Sequence, residues 1–314
     1  MASNINRETY MGSKPAWHHL GIDAGGLFSA DELLDRLPRY AYRVEKVPQF
    51  VHWRGEEVPT GAYATIRTDT DEVLGTVGPT YQVVQNVEAF KPFDQLCGPD
   101  HAFYTSVGVL GKGETIFLVA KLPDSFYINE DPFDKYLTLT NNHSGRNALR
   151  VYTTTVRVVC QNTLNMSLRQ IKAQVLLRHT KNVHTRLLDT GSVLGLADQE
   201  FLKVQSVFQE LANTRLSTQQ FADYVEAVYT ATGENPNQRT LDHRESVEEL
   251  FNSPTNMTPG LAHTAYSATQ SVIEYVDHFV PMNQDTNRAE EALFGRGARV
   301  KEKAINVAAD MFLK

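Results

Sequence analysis

Two hydrophobic periods run along this chain, and they change over near residue 160. Before that point apolar residues alternate with polar ones in short runs, the two-residue period of strands. After it they recur every three or four residues, the period of helices. Ser29-Ala-Asp-Glu32 reads as a capping box, Leu33, Leu34 and Leu37 follow at helical spacing, and Pro38 stops the helix. Residues 41–47 and 62–67 alternate, and Thr68-Asp-Thr-Asp71 reads as a turn before a strand at 73–77. Gly78-Pro79 turns the chain again into 81–84. Asn86 is expected to cap a short helix through Leu96, with Pro92 kinking it or delaying its start.

Strands are expected at 103–110, 115–122 and 126–128, the first two joined by a hairpin turn at Gly111-Lys-Gly113. The best-defined pair is 136–140 with 150–159, separated by the loop Asn141-Asn-His-Ser-Gly145. Thr153, Thr155 and Arg157 share one face of the second strand, and Tyr136, Thr138 and Thr140 share one face of the first. If these faces coincide, the sheet carries a polar, partly basic surface. Leu164, Leu168, Ile171 and Val175 then form a helical stripe, with Asn165, Arg169 and Lys172 on its flank. Further helix follows, broken near Gly191 and Gly195, then helix over 198–213, a capping box at Ser217-Thr-Gln-Gln220, a loop at Asn235-Pro-Asn, and helices over 261–279 and 297–312. This order predicts an α+β fold: a central, mainly antiparallel sheet in residues 40–160 and a helical C-terminal half. The expected divisions are an arm over 1–28, an α+β core over 29–190 and a helical region over 191–314.

Composition sharpens this picture in one place. The 314 residues carry a formal net charge of −7, yet residues 135–188 contain no Asp or Glu. At the average acid content of the chain, roughly six would be expected there. The same segment holds Lys135, Arg146, Arg150, Arg157, Arg169, Lys172, Arg178, Lys181 and Arg186. Such asymmetry belongs either to an interaction surface or to a basic face paired with acids from elsewhere in the fold. Two distant cysteines, Cys97 and Cys160, give no disulfide framework and no zinc spacing, so a cytoplasmic setting is expected. The first residues lack the apolar stretch of a signal peptide, and no apolar run reaches the ~20 residues of a membrane span.

Several blocks together resemble one family: Ala16-Trp-His-His-Leu-Gly21, Leu74-Gly-Thr-Val-Gly78, Tyr81-Gln-Val-Val-Gln-Asn86, Tyr136-Leu-Thr-Leu-Thr-Asn141 with His143 and Gly145, Val156-Arg-Val-Val-Cys-Gln-Asn-Thr-Leu164 and Arg178-His-Thr180. On these residues the chain resembles the DUF932 phage/plasmid-like proteins over roughly residues 14–310. The resemblance implies origin in a phage or plasmid of a bacterial host and little biochemistry. That family usually carries an acid after the histidine of the central loop. Here the position is Ser144, which removes a His–acid pair as a candidate for proton transfer.

The remaining candidates for chemistry are weak. His18, His19, His143, His179 and His184 lack ligand spacing, so neither a metal nor an organic cofactor is expected. Cys160 sits at an expected strand-to-helix junction, where a thiol can be activated but is more often simply buried. Trp17 and Trp53 suit either stacking on a base or subunit, or covering the sheet. The favoured reading is a nucleic-acid-binding protein, with single-stranded DNA contacted by Asn142, His143, Arg146, Arg150, Arg157, Arg169, Lys172, Arg178 and Lys181. The strand–hairpin–helix order is similar at fold level to Rad52-like strand-annealing proteins, which implies a homo-oligomer and a role in recombination. The alternatives are a factor that binds a host protein, such as an inhibitor of a defence system, and a nucleic-acid-processing enzyme. The last would need clustered carboxylates that the basic segment lacks.

Overall fold

The computed structural model describes residues 10–11, 22–23, 29–94, 102–157, 162–165, 174–183, 185, 190–230, 236–281, 291 and 295–313. The strands and helices of the first half are β1 (Tyr10–Met11), β2 (Ile22–Asp23), α1 (Ala30–Arg36), β3 (Val44–Trp53), β4 (Glu56–Arg67), β5 (Glu72–Val77), α2 (Asn86–Asp94), β6 (Phe103–Leu110), β7 (Thr115–Lys121), β8 (Phe126–Ile128), β9 (Asp131–Asn142) and β10 (Leu149–Arg157). Then come β11 (Asn162–Asn165), β12 (Gln174–Leu177), α3 (Thr190–Asn213), α4 (Thr218–Val228), α5 (Gln238–Phe251), α6 (Ala265–Glu274) with a π-helical extension over Tyr275–Phe279, and α7 (Arg296–Phe312). The fold is α+β, with antiparallel sheet in the first half and helices in the second.

Among the described residues a nine-stranded sheet runs in the order β11-β10-β9-β7-β6-β1-β2, with β12 also paired to β10 and β8 to β9. A second sheet, β3-β4-β5, is a separate three-stranded meander. Within the expected arm, Tyr10 and Met11 pair with Val107 and Ser106, so the described part of that segment extends the large sheet. Ser29 caps α1 as expected, its hydroxyl accepting from the Glu32 amide, and Leu33 and Leu34 are buried beneath it.

Three local expectations are corrected. The helical stripe over 164–175 does not form at its described ends. Residues 162–165 and 174–177 are strands, both paired antiparallel to β10, because that strand offers a free edge whose amides and carbonyls need partners. Gly191 and Gly195 do not break a helix, since α3 runs through both without interruption. The two polar strand faces do not coincide. Tyr136 pairs with Thr154, and Thr153 pairs with Leu137. Thr153, Thr155 and Arg157 therefore share the face of Leu137, Leu139 and Val151, all of them buried. A one-residue difference in register is enough to exchange the faces.

Arg157 is the largest consequence. It was expected on a solvated face, and its side chain is 1% exposed. Its Nε donates to Asp131 Oδ2 at 2.5 Å, one terminal nitrogen to Asn256 Oδ1 at 2.9 Å and the other to the Thr255 carbonyl at 2.8 Å. Tyr266 of α6 donates its hydroxyl to the same Asp131 oxygen at 2.6 Å, with the guanidinium 5.6 Å from its ring centre. Asn256 and Thr255 in turn donate to the buried Glu274 carboxylate, Asn256 to Oε2 at 2.7 Å and Thr255 to both oxygens. One cation thus ties β10 and the start of β9 to the α5–α6 loop and to α6, whose ten residues are all buried. Arg157→Ala should lose about 3–5 kcal/mol of unfolding free energy, because it strands the Asp131 carboxylate in the interior. Urea titration reads this directly; a loss below about 0.5 kcal/mol, ordinary for a surface residue, would contradict the assignment.

Candidate functional site

The loop between β9 and β10 is built inward. Asn142 turns its side chain back on the chain: Oδ1 accepts from the Ser144 amide at 3.1 Å, the Ser144 hydroxyl at 2.8 Å and the Asn147 amide at 3.4 Å. Its Nδ2 donates to Thr115 Oγ1 of β7 at 2.8 Å. The loop then lies flat on β5. A Cβ on Gly75 would sit 2.5 Å from the Ser144 carbonyl oxygen, so only glycine permits this approach. Gly145 has φ +76° and faces Val77, which calls for glycine a second time. Thr65 of β4 closes the contact by donating to the His143 carbonyl at 2.7 Å.

His143 is fully buried between the two sheets. Asn86 Nδ2 donates to the Tyr40 carbonyl at 3.1 Å, which leaves Asn86 Oδ1 to face His143 Nε2 at 2.9 Å. That arrangement assigns the ring hydrogen to Nε2. Nδ1 is left buried without a partner. Burial first, and the neighbouring His179 second, hold the imidazole down at about 3, so it is neutral at physiological pH. Asn86 was expected to cap α2; its side chain is instead committed to this interior network.

Arg178-His-Thr180 joins the same place from β12. The His179 ring stacks on Tyr81 at 4.8 Å, and the His179 carbonyl accepts from the Gln82 amide at 3.0 Å. Tyr81 donates to the Asn142 carbonyl at 3.0 Å. Three separate sequence blocks, 81–86, 140–145 and 178–180, thus meet in one polar junction. Asn142 and His143, expected to touch nucleic acid, are buried parts of that junction and are not available to a ligand in this conformation. Their polar atoms were read as free because hydroxyl- and amide-rich loops are usually solvated, whereas here the two sheets close over them.

The remaining expected cations divide cleanly. Arg146, Arg178 and Lys181 are exposed, and none of them makes an ion pair among the described residues. Arg150 is half-buried and donates to Asn147 Oδ1 at 3.1 Å. Leu149 pairs with Leu177, so the chain enters Arg178 beside Ala148, between Arg146 and Arg150 in sequence position. Arg146, Arg150 and Arg178 thus form a rim beside the junction, continued by Lys181 three residues further along the chain. Arg157 does not belong to it, for the reason given above. Arg169, Lys172, Arg186, Cys97, Cys160, Trp17, His18, His19 and His184 lie outside the described residues. Among the described residues no group of three His, Cys, Asp or Glu side chains could hold a metal ion, and no helix is long and apolar enough to cross a membrane.

The sequence reading missed the element beside this rim. β3 and β4 continue beyond their pairing with β5, which begins at Tyr63, as a two-stranded ribbon closed by Arg54 and Gly55. Both closing residues have positive φ, as a tight hairpin turn requires. Phe50, Val51, Trp53 and Val58 are exposed on it, Trp53 at 62%. The Arg54 guanidinium lies 5.4 Å from the Trp53 ring centre. At the ribbon's base Lys46 donates to the Pro79 and Tyr81 carbonyls at 2.9 Å, so the ribbon springs from the segment that also carries Tyr81. The usable signal in the sequence was the odd pairing of apolar residues with Pro48 and Pro59, which belongs to an edge ribbon and not to a core strand.

The family model described as "Domain of unknown function (DUF932)" matches residues 73–300. No curated protein and no solved structure matches the chain. The matched span contains the whole polar junction and the rim, and begins after the ribbon.

The state of His143 gives a pH signature. Unfolded, its imidazole takes a proton below about 6.5; folded, it resists until about 3. Its contribution to stability is therefore complete above about pH 6.5 and is lost progressively as pH falls towards about 3, at up to about 1.4 kcal/mol per pH unit. His143→Gln should flatten the fall of unfolding free energy between those limits by about one proton's worth of slope. Parallel curves for the two proteins would contradict a buried neutral histidine.

Proposed function

This chain belongs to the DUF932 family, and on that footing we propose that it binds single-stranded nucleic acid, with the phosphates along the rim of Arg146, Arg150, Arg178 and Lys181 and the bases against the ribbon. One observation carries the reading. Exposed cations from a segment without a single acid and a ribbon that exposes Trp53 and Phe50 both start from the same junction of Tyr81, His179 and the 141–147 loop. Cations alone would suit any polyanion, and aromatics alone any apolar partner. Their combination matches a strand whose backbone is charged and whose bases have open faces. The polar junction has a supporting role: it fixes the rim on a rigid base.

The same reading extends to a strand-annealing or recombination protein of a phage or plasmid, acting as a homo-oligomer because one rim spans few nucleotides. A second reading has its own support. Val51, Trp53 and Val58 share one face of the ribbon and Phe50 lies on the other, a two-sided apolar arm suited to a protein partner, including a host defence enzyme. Neither reading gives the protein a reaction of its own.

Labelled oligothymidylate titrated across a salt series separates these readings. Binding should weaken steeply as salt rises. Arg146→Ala, Arg178→Ala and Lys181→Ala should each reduce the slope by about 0.7, one phosphate contact on a single strand. Trp53→Ala should cost about 1–3 kcal/mol of affinity with the slope unchanged, as loss of a stacked base does. Absence of binding at low salt would reject the nucleic-acid reading and leave the protein partner.

A further inference from the structure

The helical layer holds a second feature, remote from the rim in sequence. A cavity of about 490 Å³ opens between α5, the π-helical extension of α6 and the start of α7. Its volume lies in the range of small-molecule sites. One wall is apolar, made by Val276, Val280 and Val300. A second is a stacked pair of rings, Tyr229 and His243, with centres 5.3 Å apart. Arg239 and Arg296 border the cavity, are exposed, and make no ion pair among the described residues. Among the described residues of the lining the one carboxylate is Glu291, whose Oε2 accepts from the Arg296 amide at 2.8 Å at the start of α7.

His243 is held by its stack on Tyr229 and by an edge-on contact with Tyr275. Its Nδ1 lies 2.7 Å from the Tyr275 hydroxyl, so Nε2 is the ring nitrogen left for a ligand. Burial and Arg239 both hold its basicity below the ordinary imidazole range, which leaves a neutral ring able to donate one hydrogen bond. Tyr275 begins the π-helical turn, and such turns are often found where a helix must present a side chain to a site. Two guanidinium groups and one imidazole thus border a chamber that also has an apolar wall, and the one carboxylate among its described lining residues already accepts a backbone hydrogen bond.

We propose that this cavity binds a small organic anion: an acidic head group held by Arg239, Arg296 and His243, on an apolar or aromatic body received by the valines and the Tyr229 ring. The inference stands independently of nucleic-acid binding at the rim.

The test uses 1-anilinonaphthalene-8-sulfonate, an acidic group on aromatic rings, and its uncharged counterpart N-phenyl-1-naphthylamine. The full chain should bind the sulfonate saturably at one site, with the uncharged compound weaker by about tenfold or more, the equivalent of one charge-assisted hydrogen bond. The double variant Arg239→Ala/Arg296→Ala should lose a similar factor for the sulfonate and little for the neutral compound. Val300→Trp should abolish both by filling the chamber. Trp53→Ser should change neither, which excludes the exposed ribbon as the binding place. Circular dichroism checks folding, and if Val300→Trp does not fold, the arginine variant decides. Equal binding of the two compounds, sulfonate binding that survives the arginine changes, or no saturable site at all would each overturn the proposal.

Discussion

A guanidinium 1% exposed to solvent needs every one of its donors answered, because an unpaired charge in the interior costs more than most single contacts return. The described partners around Arg157 come from three segments: the start of β9 with Asp131, the α5–α6 loop with Thr255 and Asn256, and α6, whose Tyr266 donates to Asp131. The first is far in sequence from the other two, which follow one another along the chain. The ion pair does not have to add net stability to matter. It makes misplacement of the helices on the sheet expensive, and so selects one docking of the two layers. Lys301 and Asp277 repeat the device at 2.6 Å between α7 and the π-helical turn, again with both side chains buried. The polar residues of α6 complete the pattern. Thr269 and Ser271 donate to carbonyls of their own helix, which lets a helix rich in hydroxyls lie at the centre of the helical layer.

Where the hydrophobic pattern was local, it could be read in advance. The capping serines at 29 and 217, the turn at residues 68–71, the hairpin at 111–113 and the pairing of β9 with β10 all follow from a few neighbouring residues. Where the outcome depended on distant partners, it could not. The stripe of Leu164 and Val175 has helical spacing, but both ends of that segment lie on strands beside an edge of β10 that no local rule anticipates. The parity of β9 against β10 is set by Leu137, Leu139 and Val151 facing the helices. Threonines at 153 and 155 looked solvent-facing only because their hydroxyls outweighed their β-branched shape. Asn86 looked like a cap for the same reason: its alternative partner, His143, comes from a loop 57 residues away.

The candidate site was legible as a segment and not as a set of residues. The absence of acids over 135–188 pointed to the right stretch of chain, while its individual cations have different fates. Arg157 is an internal tie, Arg150 is half-buried, and Arg146, Arg178 and Lys181 stand in solvent. A basic segment thus supplies both a buried ion pair and an exposed rim, and burial alone separates the two. The ribbon of Trp53 was harder to see, since its exposed apolar residues look like any strand until the third strand is found to stop at Tyr63.

Hydrogen–deuterium exchange of the full chain with and without oligothymidylate tests the central claim, that the polar junction is a fixed base whose outer rim and ribbon meet the ligand. The account predicts slower exchange on binding at residues 49–61, 143–148 and 178–182, with the α5–α6 loop around Asn256 unchanged. Protection confined to the helical half, with the rim and ribbon unaffected by bound DNA, would contradict it.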